Sequence, residues 1–193
     1  MTGARVVVLV KDFGSAKQRL SPALDPDRRR ELAVELARKA LAAAGPDAIV
    51  VAGSEEAAAL ARELAAEVIV EAHPTGQRDA ARRGIERALE LGAGSVLLLS
   101  SDLPLVSRSA VEELLRLAAA YAPPVAVAAP AIGRGGTNAL FLNPPEAIGL
   151  HFGDDSLRKF EAEAHERGVR FEVFESDAFA LDLDEPSDLV ARG

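Results

Sequence analysis

The stretch SVLLLSSDLPLV, residues Ser95–Val106, decides how the fold of this chain is interpreted. Its unbroken apolar run VLLL predicts a strand buried on both faces, as in a parallel sheet covered by helices. Two serines and Asp102 follow at once, and the next Leu-Pro pair restricts the turn. Because ligands bind at the carboxyl ends of strands in open α/β sheets, Asp102 is expected to face a functional site. A helix cap is the alternative, although Asp102 lies several residues before the possible caps Ser107 and Ser109.

Length and composition limit the class of protein. The chain has 193 residues, 49% hydrophobic and 27% charged, which predicts one globular domain over residues 1–193. It contains no cysteine, so disulfides and thiolate metal sites are excluded, and its first residues lack the layout of a signal peptide. We therefore expect a cytoplasmic protein that does not bind membranes. The net charge of −8 argues against a general affinity for nucleic acid.

Short apolar runs alternate along the chain with segments rich in Ala, Leu, Glu and Arg, which predicts βαβ units. We expect a three-layer α/β/α, Rossmann-like fold with a mixed, mainly parallel sheet. A further short strand is expected in FALDLDEPSDLV, before a last helical turn at Pro186. The other predicted strands are Arg5–Val10, Ala48–Ala52, Glu67–Val70, Ser95–Ser100, Pro124–Ala129, Asn138–Leu142 and Val169–Phe174.

Helix boundaries are marked by capping residues. Asp25 followed by Pro26 predicts the start of a helix that ends at Gly45, and Ser54 predicts the start of the next. A third helix is expected over Arg78–Leu91. Two further helix starts are ambiguous: a capping box favours Ser109 although Ser107 competes with it, and a later helix begins at Asp154 or Asp155 and ends at Gly168.

A basic loop follows the first predicted strand. Lys11, Lys17 and Arg19 lie within nine residues of one another, beside Gly14 and Ser15. Such a loop could direct cations and backbone N–H groups at a phosphate chain. The GK[ST] ending of a Walker A motif is absent, and a solvated basic loop is an equal alternative.

Acidic residues recur near the end of the chain, in ALDLDEP. Asp182 and Asp184 are two residues apart, so in an extended chain both point to the same side. Neighbouring carboxylates repel each other unless a cation lies between them. Magnesium prefers oxygen ligands and substrate phosphates, so Asp102, Asp182 and Asp184 together form a candidate Mg²⁺ site. The alternative is an acidic edge strand that faces solvent.

A possible anion site lies in the C-terminal half. Gly135 and Gly136 before Thr137 predict a turn that exposes amides and a hydroxyl, while Gly153 and Ser156 precede a helix whose positive end attracts anions. A small phosphorylated acid could bind between them. Taken singly, each motif favours a tight turn or a helix cap over an anion site. No Ser-His-Asp or Cys-His set is evident.

The chain resembles a known family in five segments and in their order. These segments are VKDFGSAKQRLSP, LLLSSDLPLV, GGTNALFLNPPEAI, FGDDSLRKF and ALDLDEPSDL. The family is that of the guanylyltransferases of coenzyme F(420) biosynthesis, which act on 2-phospho-L-lactate or phosphoenolpyruvate. The resemblance extends from Val6 to Val190 and implies a fold like that of nucleotide-diphospho-sugar transferases. It also implies transfer of GMP from GTP to the phosphate of the acid, with release of pyrophosphate.

The resemblance implies a role for each candidate residue. Thr137, Gly153 and Ser156 match the positions that bind the acid. The three aspartates match the metal ligands, with Asp102 also essential for catalysis. Lys11, Lys17 and Arg19 match the loop that faces the triphosphate, with both lysines stabilising the leaving pyrophosphate, and Gly76 lies in a second nucleotide loop.

The chain also departs from the family. Leu9 and Asp12 stand where prolines are usual, and Gly76-Gln77-Arg78 replaces the usual Gly-Leu-Asn, which leaves the choice between guanine and adenine open. A related nucleotidyltransferase for molybdopterin or a sugar phosphate is a second hypothesis. A non-catalytic nucleotide-binding module is a third. The sequence does not decide between the two acids or define the oligomeric state.

Overall fold

The computed structural model describes residues 3–64, 67–132 and 135–190. Its seven strands form one sheet, and each lies within one residue of its predicted bounds. The strands are β1 (Arg5–Val10), β2 (Ile49–Ala52), β3 (Glu67–Val70), β4 (Val96–Ser100), β5 (Val125–Pro130), β6 (Thr137–Asn143) and β7 (Arg170–Val173). Their order is β3-β2-β1-β4-β6-β5-β7, and β6 alone among these strands runs against its neighbours.

Helices cover both faces of this sheet, as the sequence predicts. The helices are α1 (Pro26–Ala44), α2 (Glu55–Glu63), α3 (Gln77–Glu90), α4 (Arg108–Ala119), α5 (Ser156–Glu166), α6 (Asp177–Ala180) and α7 (Pro186–Val190), with a 3₁₀ turn at Gln18–Leu20. One apolar core lies between the sheet and α1, α2 and α4, and a second lies between the sheet and α3 and α5. In the described part of the chain, no helix is long and apolar enough to cross a membrane.

Side-chain caps explain where α1, α2 and α4 begin. Asp25 accepts a hydrogen bond from the Arg28 N–H at 2.9 Å, and α1 ends at Gly45, whose φ is +88°. Ser107 accepts from the Ala110 N–H at 3.2 Å and therefore caps α4. The expectation that Ser109 caps this helix is wrong, because its position lies inside the first turn and its hydroxyl meets that of Ser107.

The predicted strand in FALDLDEP is also wrong. Phe179 belongs to the short helix α6, and the residues from Leu181 to Asp184 pair with no strand. The segment crosses the end of β4, where the Leu183 N–H lies 3.4 Å from the Asp102 carbonyl oxygen. No further strand can join there, because β1 and β6 already occupy both sides of β4. The buried Leu183 instead packs with Leu20 and leucines of α1.

The reversed strand determines which residues share one rim. Strands β1 to β4 are parallel, so their carboxyl ends lie along the same edge of the sheet. Because β6 is antiparallel to β4, it begins at that edge instead of ending there. Thr137, the first residue of β6, is thereby brought to the same rim as Asp102.

Candidate active site

A cavity of about 450 Å³ opens along this rim. Its lining comes from five neighbouring strands and the loops that adjoin them, as expected for an open α/β sheet. Lys11 and Gly53 follow β1 and β2, while Glu71 follows β3. Asp102 follows β4, and Thr137 begins β6. The cavity therefore runs across the sheet from β3 to β6.

Three carboxylates meet at the β4 end of the cavity. One oxygen from each of Asp102, Asp182 and Asp184 lies within 4.8 Å of the other two. Asp182 and Asp184 are held there by Leu183 between them, which is buried and whose N–H faces the Asp102 carbonyl oxygen. The predicted convergence of the three acidic side chains is confirmed. Oxygen ligands grouped in this way suit a hard divalent cation.

The ammonium of Lys17 lies among these carboxylates. Its Nζ donates to Asp102 Oδ2 at 2.9 Å and to Asp184 Oδ1 at 3.0 Å. The Lys17 side chain is only 6% exposed, against 22% for Asp102 and 29% for Asp184. Burial by itself lowers the pKa of Lys17, but attraction and hydrogen bonds from the two aspartates outweigh it and raise the pKa above 10.5. Lys17 thus neutralises the acidic cluster, and it does not line the main cavity, where its contact with nucleotide was expected.

Other residues of the basic loop do line the cavity, namely Lys11, Asp12 and Arg19. Asp12 holds the loop in shape, because its Oδ2 accepts from the Ser15 N–H at 2.9 Å. Burial raises the pKa of Asp12, yet bonds from the Ser15 hydroxyl and N–H leave it below 3.8. Gly53 allows the loop to approach β2, since a Cβ there would lie 2.9 Å from the Asp12 nitrogen. The structural role of Asp12 was missed, although the Asp-x-x-Ser spacing signals such a turn.

The three residues expected to bind the acid lie together but differ in access. Thr137 and Gly153 line the cavity, whereas Ser156 is fully buried. The Ser156 hydroxyl donates to Thr137 Oγ1 at 3.0 Å, and its N–H bonds to the Gly153 carbonyl at 3.2 Å. The buried Ser156 side chain therefore does not reach the cavity, where a ligand would bind. Ser156 orients Thr137 instead.

Two polar residues at the cavity were not singled out from the sequence. Asn138 donates from Nδ2 to the Phe179 carbonyl at 2.8 Å, which attaches α6 to β6. Glu71 directly follows β3 and is buried beside Gly76 and Gln77, which also line the cavity. The sequence signal for Glu71 is its position, because it is an acidic residue directly after the apolar run VIV.

The fold is that of nucleotide-diphospho-sugar transferases. A solved structure from Desulfovibrio desulfuricans G20, assigned to that class, matches with a TM-score of 0.78 at 18% identity, over 98% of this chain and 85% of its own. The predicted fold class is therefore confirmed. More specifically, the chain belongs to the family described as Guanylyl transferase CofC like, whose model matches residues 4–191.

Relatives with both of the expected acceptors match nearly the whole chain. The phosphoenolpyruvate guanylyltransferase of Rubrobacter xylanophilus is 39% identical over 187 residues, or 95% of this chain and 90% of the relative. The 2-phospho-L-lactate guanylyltransferase of Methanocaldococcus jannaschii is 30% identical over 187 residues, or 96% of this chain and 80% of the relative. The family membership predicted from the sequence motifs is confirmed.

Proposed function

We propose that this protein transfers GMP from GTP to the phosphate of phosphoenolpyruvate or 2-phospho-L-lactate, a step of coenzyme F(420) biosynthesis. An oxygen of the acid's phosphate forms a bond to the α-phosphorus of GTP. The bond from that phosphorus to the bridging oxygen breaks, and its electron pair leaves with pyrophosphate. The observation that carries the proposal is the meeting of Asp102, Asp182 and Asp184 beside a basic loop, in a chain of the guanylyltransferase family.

The three aspartates are the proposed ligands of Mg²⁺. They fit a cation because they supply clustered oxygens, and because two of them, Asp102 and Asp184, already pair with the ammonium of Lys17. When bound, Mg²⁺ would neutralise charge on the phosphates and hold them in place for in-line attack. The same residues would keep the ion at the β4 end of the cavity.

The remaining residues position two anions that repel each other. We assign Lys11 and Arg19, which line the cavity, to the triphosphate and the leaving pyrophosphate. Thr137, oriented by the buried Ser156, and the turn at Gly153 are assigned to the phosphorylated acid. A phosphate monoester has a second pKa of about 6, so the attacking oxygen is already largely ionised at neutral pH and needs no general base.

The test is a pyrophosphate-release assay with the purified protein, Mg²⁺ and GTP, run with each acid in turn. We expect release with at least one of the two acids, a diphosphate-linked guanosine product, and loss of activity on adding a chelator. The faster acid identifies the acceptor. Release with a sugar phosphate or molybdopterin but with neither acid would overturn the proposal, as would nucleotide binding without turnover.

A further inference from the structure

The cavity continues well beyond the acidic cluster, to the carboxyl end of β3. The sheet order places β2 and β1 between β3 and β4, so the two strand ends are three spacings apart. At about 4.8 Å for each spacing, this separation is about 14 Å, comparable to the length of an extended nucleotide. If the phosphates lie near Asp102, the base would lie near Glu71, Gly76 and Gln77, which line that far end.

Glu71 is an unusual residue for such a position. Its side chain is 5% exposed, and among the described residues nothing donates a hydrogen bond to its Oε1. The nearest cation, Arg83, has its Nε at 3.7 Å, which is too far for a hydrogen bond. Burial raises the pKa of Glu71, and the attraction of Arg83 does not offset it. A buried acceptor without a donor is unfavourable, so this carboxylate is suited to a ligand that brings donors.

Guanine brings donors in the required arrangement. Its ring N–H and exocyclic amino group are adjacent, and together they match the two oxygens of one carboxylate. Adenine presents an unprotonated ring nitrogen beside its amino group, and that lone pair would face the carboxylate instead of a proton. A buried carboxylate therefore selects for guanine and against adenine.

The start of α3 completes the match. Guanine carries a carbonyl oxygen next to its ring N–H, and this oxygen needs a donor. Gly76 precedes the 14-residue helix α3 with φ +115° and supplies no side-chain cap, so the first N–H groups of the helix are not capped from that position. Gly76 and Gln77 line the cavity beside Glu71.

We propose that Glu71 is the residue that recognises guanine, accepting from its ring N–H and amino group, while the start of α3 donates to its carbonyl oxygen. This inference rests on the proposed function, since it assumes that a nucleotide occupies the cavity with its phosphates at the acidic cluster. The inference assigns a residue to the recognition of the base. The sequence alone had left the choice between guanine and adenine open, because Gly76-Gln77-Arg78 departs from the usual Gly-Leu-Asn.

The test compares four nucleotides in the wild type and in Glu71→Gln. Glutamine keeps the size of the side chain but offers one acceptor and one donor. We expect kcat/KM for GTP to fall about 30-fold or more, mainly through KM, because a charge-assisted hydrogen bond is lost. With XTP, which has a carbonyl in place of the amino group, the amide can donate, so the GTP/XTP preference should fall at least 100-fold. The wild type should also prefer GTP to ITP, which lacks the amino group, and GTP to ATP.

Glu67→Gln is the matched control, because Glu67 lies on the same strand but is exposed and paired with Arg87. It should leave all four kcat/KM values unchanged. Calorimetric binding of the same nucleotides separates this inference from the proposed function, since it needs no acceptor and no turnover. A Glu71→Gln protein that folds and keeps the wild-type ratios among the nucleotides would overturn the inference. An equal loss for every nucleotide would also overturn it, by assigning Glu71 a structural role.

Discussion

The β4 end of the cavity contains partly buried carboxylates and the β3 end a buried one, and the two ends differ in how the negative charge is matched. At the β4 end, Asp102 and Asp184 share the ammonium of Lys17, and both retain some contact with solvent. At the β3 end, Glu71 is more deeply buried, and among the described residues it forms an ion pair with Arg83 at 3.7 Å but accepts no hydrogen bond at Oε1. The negative charge is thus matched by a hydrogen-bonded cation at the β4 end, and only by an ion pair without a hydrogen bond at the β3 end.

The pKa is raised for Lys17 at the β4 end and for Glu71 at the β3 end, for opposite physical reasons. A raised pKa for Lys17 means that its surroundings favour the charged form. A raised pKa for Glu71 means that burial disfavours the charged form. The acidic cluster is therefore suited to exchanging one cation for another, whereas Glu71 is suited to receiving hydrogen-bond donors from a ligand. Four predictions test this comparison.

The largest effect is expected for Asp102→Asn. The substitution keeps the shape of the side chain but removes a charge from the proposed metal site and from the Lys17 pair. We expect kcat for pyrophosphate release to fall about 1,000-fold, with the far-ultraviolet circular dichroism unchanged. Asp47→Asn, at an exposed position outside the cavity, is the control and should remain fully active. Near-normal turnover of Asp102→Asn would refute the role of the cluster.

Lys17→Met should reduce stability in a way that a divalent cation repairs. Removing the buried ammonium leaves repelling carboxylates, so in chelator we expect the free energy of unfolding to fall by about 2 kcal/mol, less than for a fully buried pair because the aspartates keep some solvent. Urea unfolding with added Mg²⁺ should recover most of the difference. Because the folded protein raises the pKa of Lys17, the wild type should exceed Lys17→Met in free energy of unfolding by the full amount below pH 10.5. The difference should be lost as the pH rises further. An equal deficit with and without Mg²⁺ would show that the cation does not replace Lys17.

The comparison also shows what local sequence can predict. The strands follow from apolar runs such as VLLL, and Asp25 and Ser54 define helix starts, because both signals involve residues within a few positions of one another. The position of Asp102 followed from the rule that ligands bind at strand ends, and its grouping with Asp182 and Asp184 from the repulsion of neighbouring carboxylates and the oxygen preference of Mg²⁺. These features needed no knowledge of distant packing.

The errors arise where the outcome depends on distant partners. The alternation LDLD fits both an edge strand and an unpaired segment, and only the contacts of Leu183 with Asp102 and with leucines of α1 decide between them. Lys17 has a flexible stem, so its direction depends on carboxylates 85 and 167 residues away. Glu71 follows a strand, as acidic residues in other loops of this chain do. Only the three-dimensional structure shows that its Oε1 is buried and accepts no hydrogen bond from the described residues.

Glu163→Gln should destabilise the protein, because this carboxylate, unlike Glu71, has its own donors. Burial raises the pKa of Glu163, but bonds from His151 and the Gly149 N–H, with the charge of Arg167, lower it below 4.5. We expect a loss of about 1.5 kcal/mol at pH 7, measured by urea unfolding. Because the pKa of Glu163 is lower in the folded protein, the full loss in free energy of unfolding should be seen above pH 4.5. The loss should disappear as the pH falls below that value. A loss that is constant with pH would assign the effect to packing.

Glu71→Gln should have the smallest effect on stability, and with the opposite sign. Because burial raises the folded pKa of Glu71 above 4.5, its ionised form disfavours folding at neutral pH, and that penalty is absent below the unfolded value. Replacing the carboxylate by an amide should therefore raise the free energy of unfolding by about 1 kcal/mol at pH 7, and the gain should vanish below pH 4.5. Urea unfolding at the two pH values, without nucleotide, measures it. A stabilised protein that binds GTP more weakly is what a carboxylate retained for its ligand predicts, whereas a destabilised one would place Glu71 among the structural acids such as Glu163.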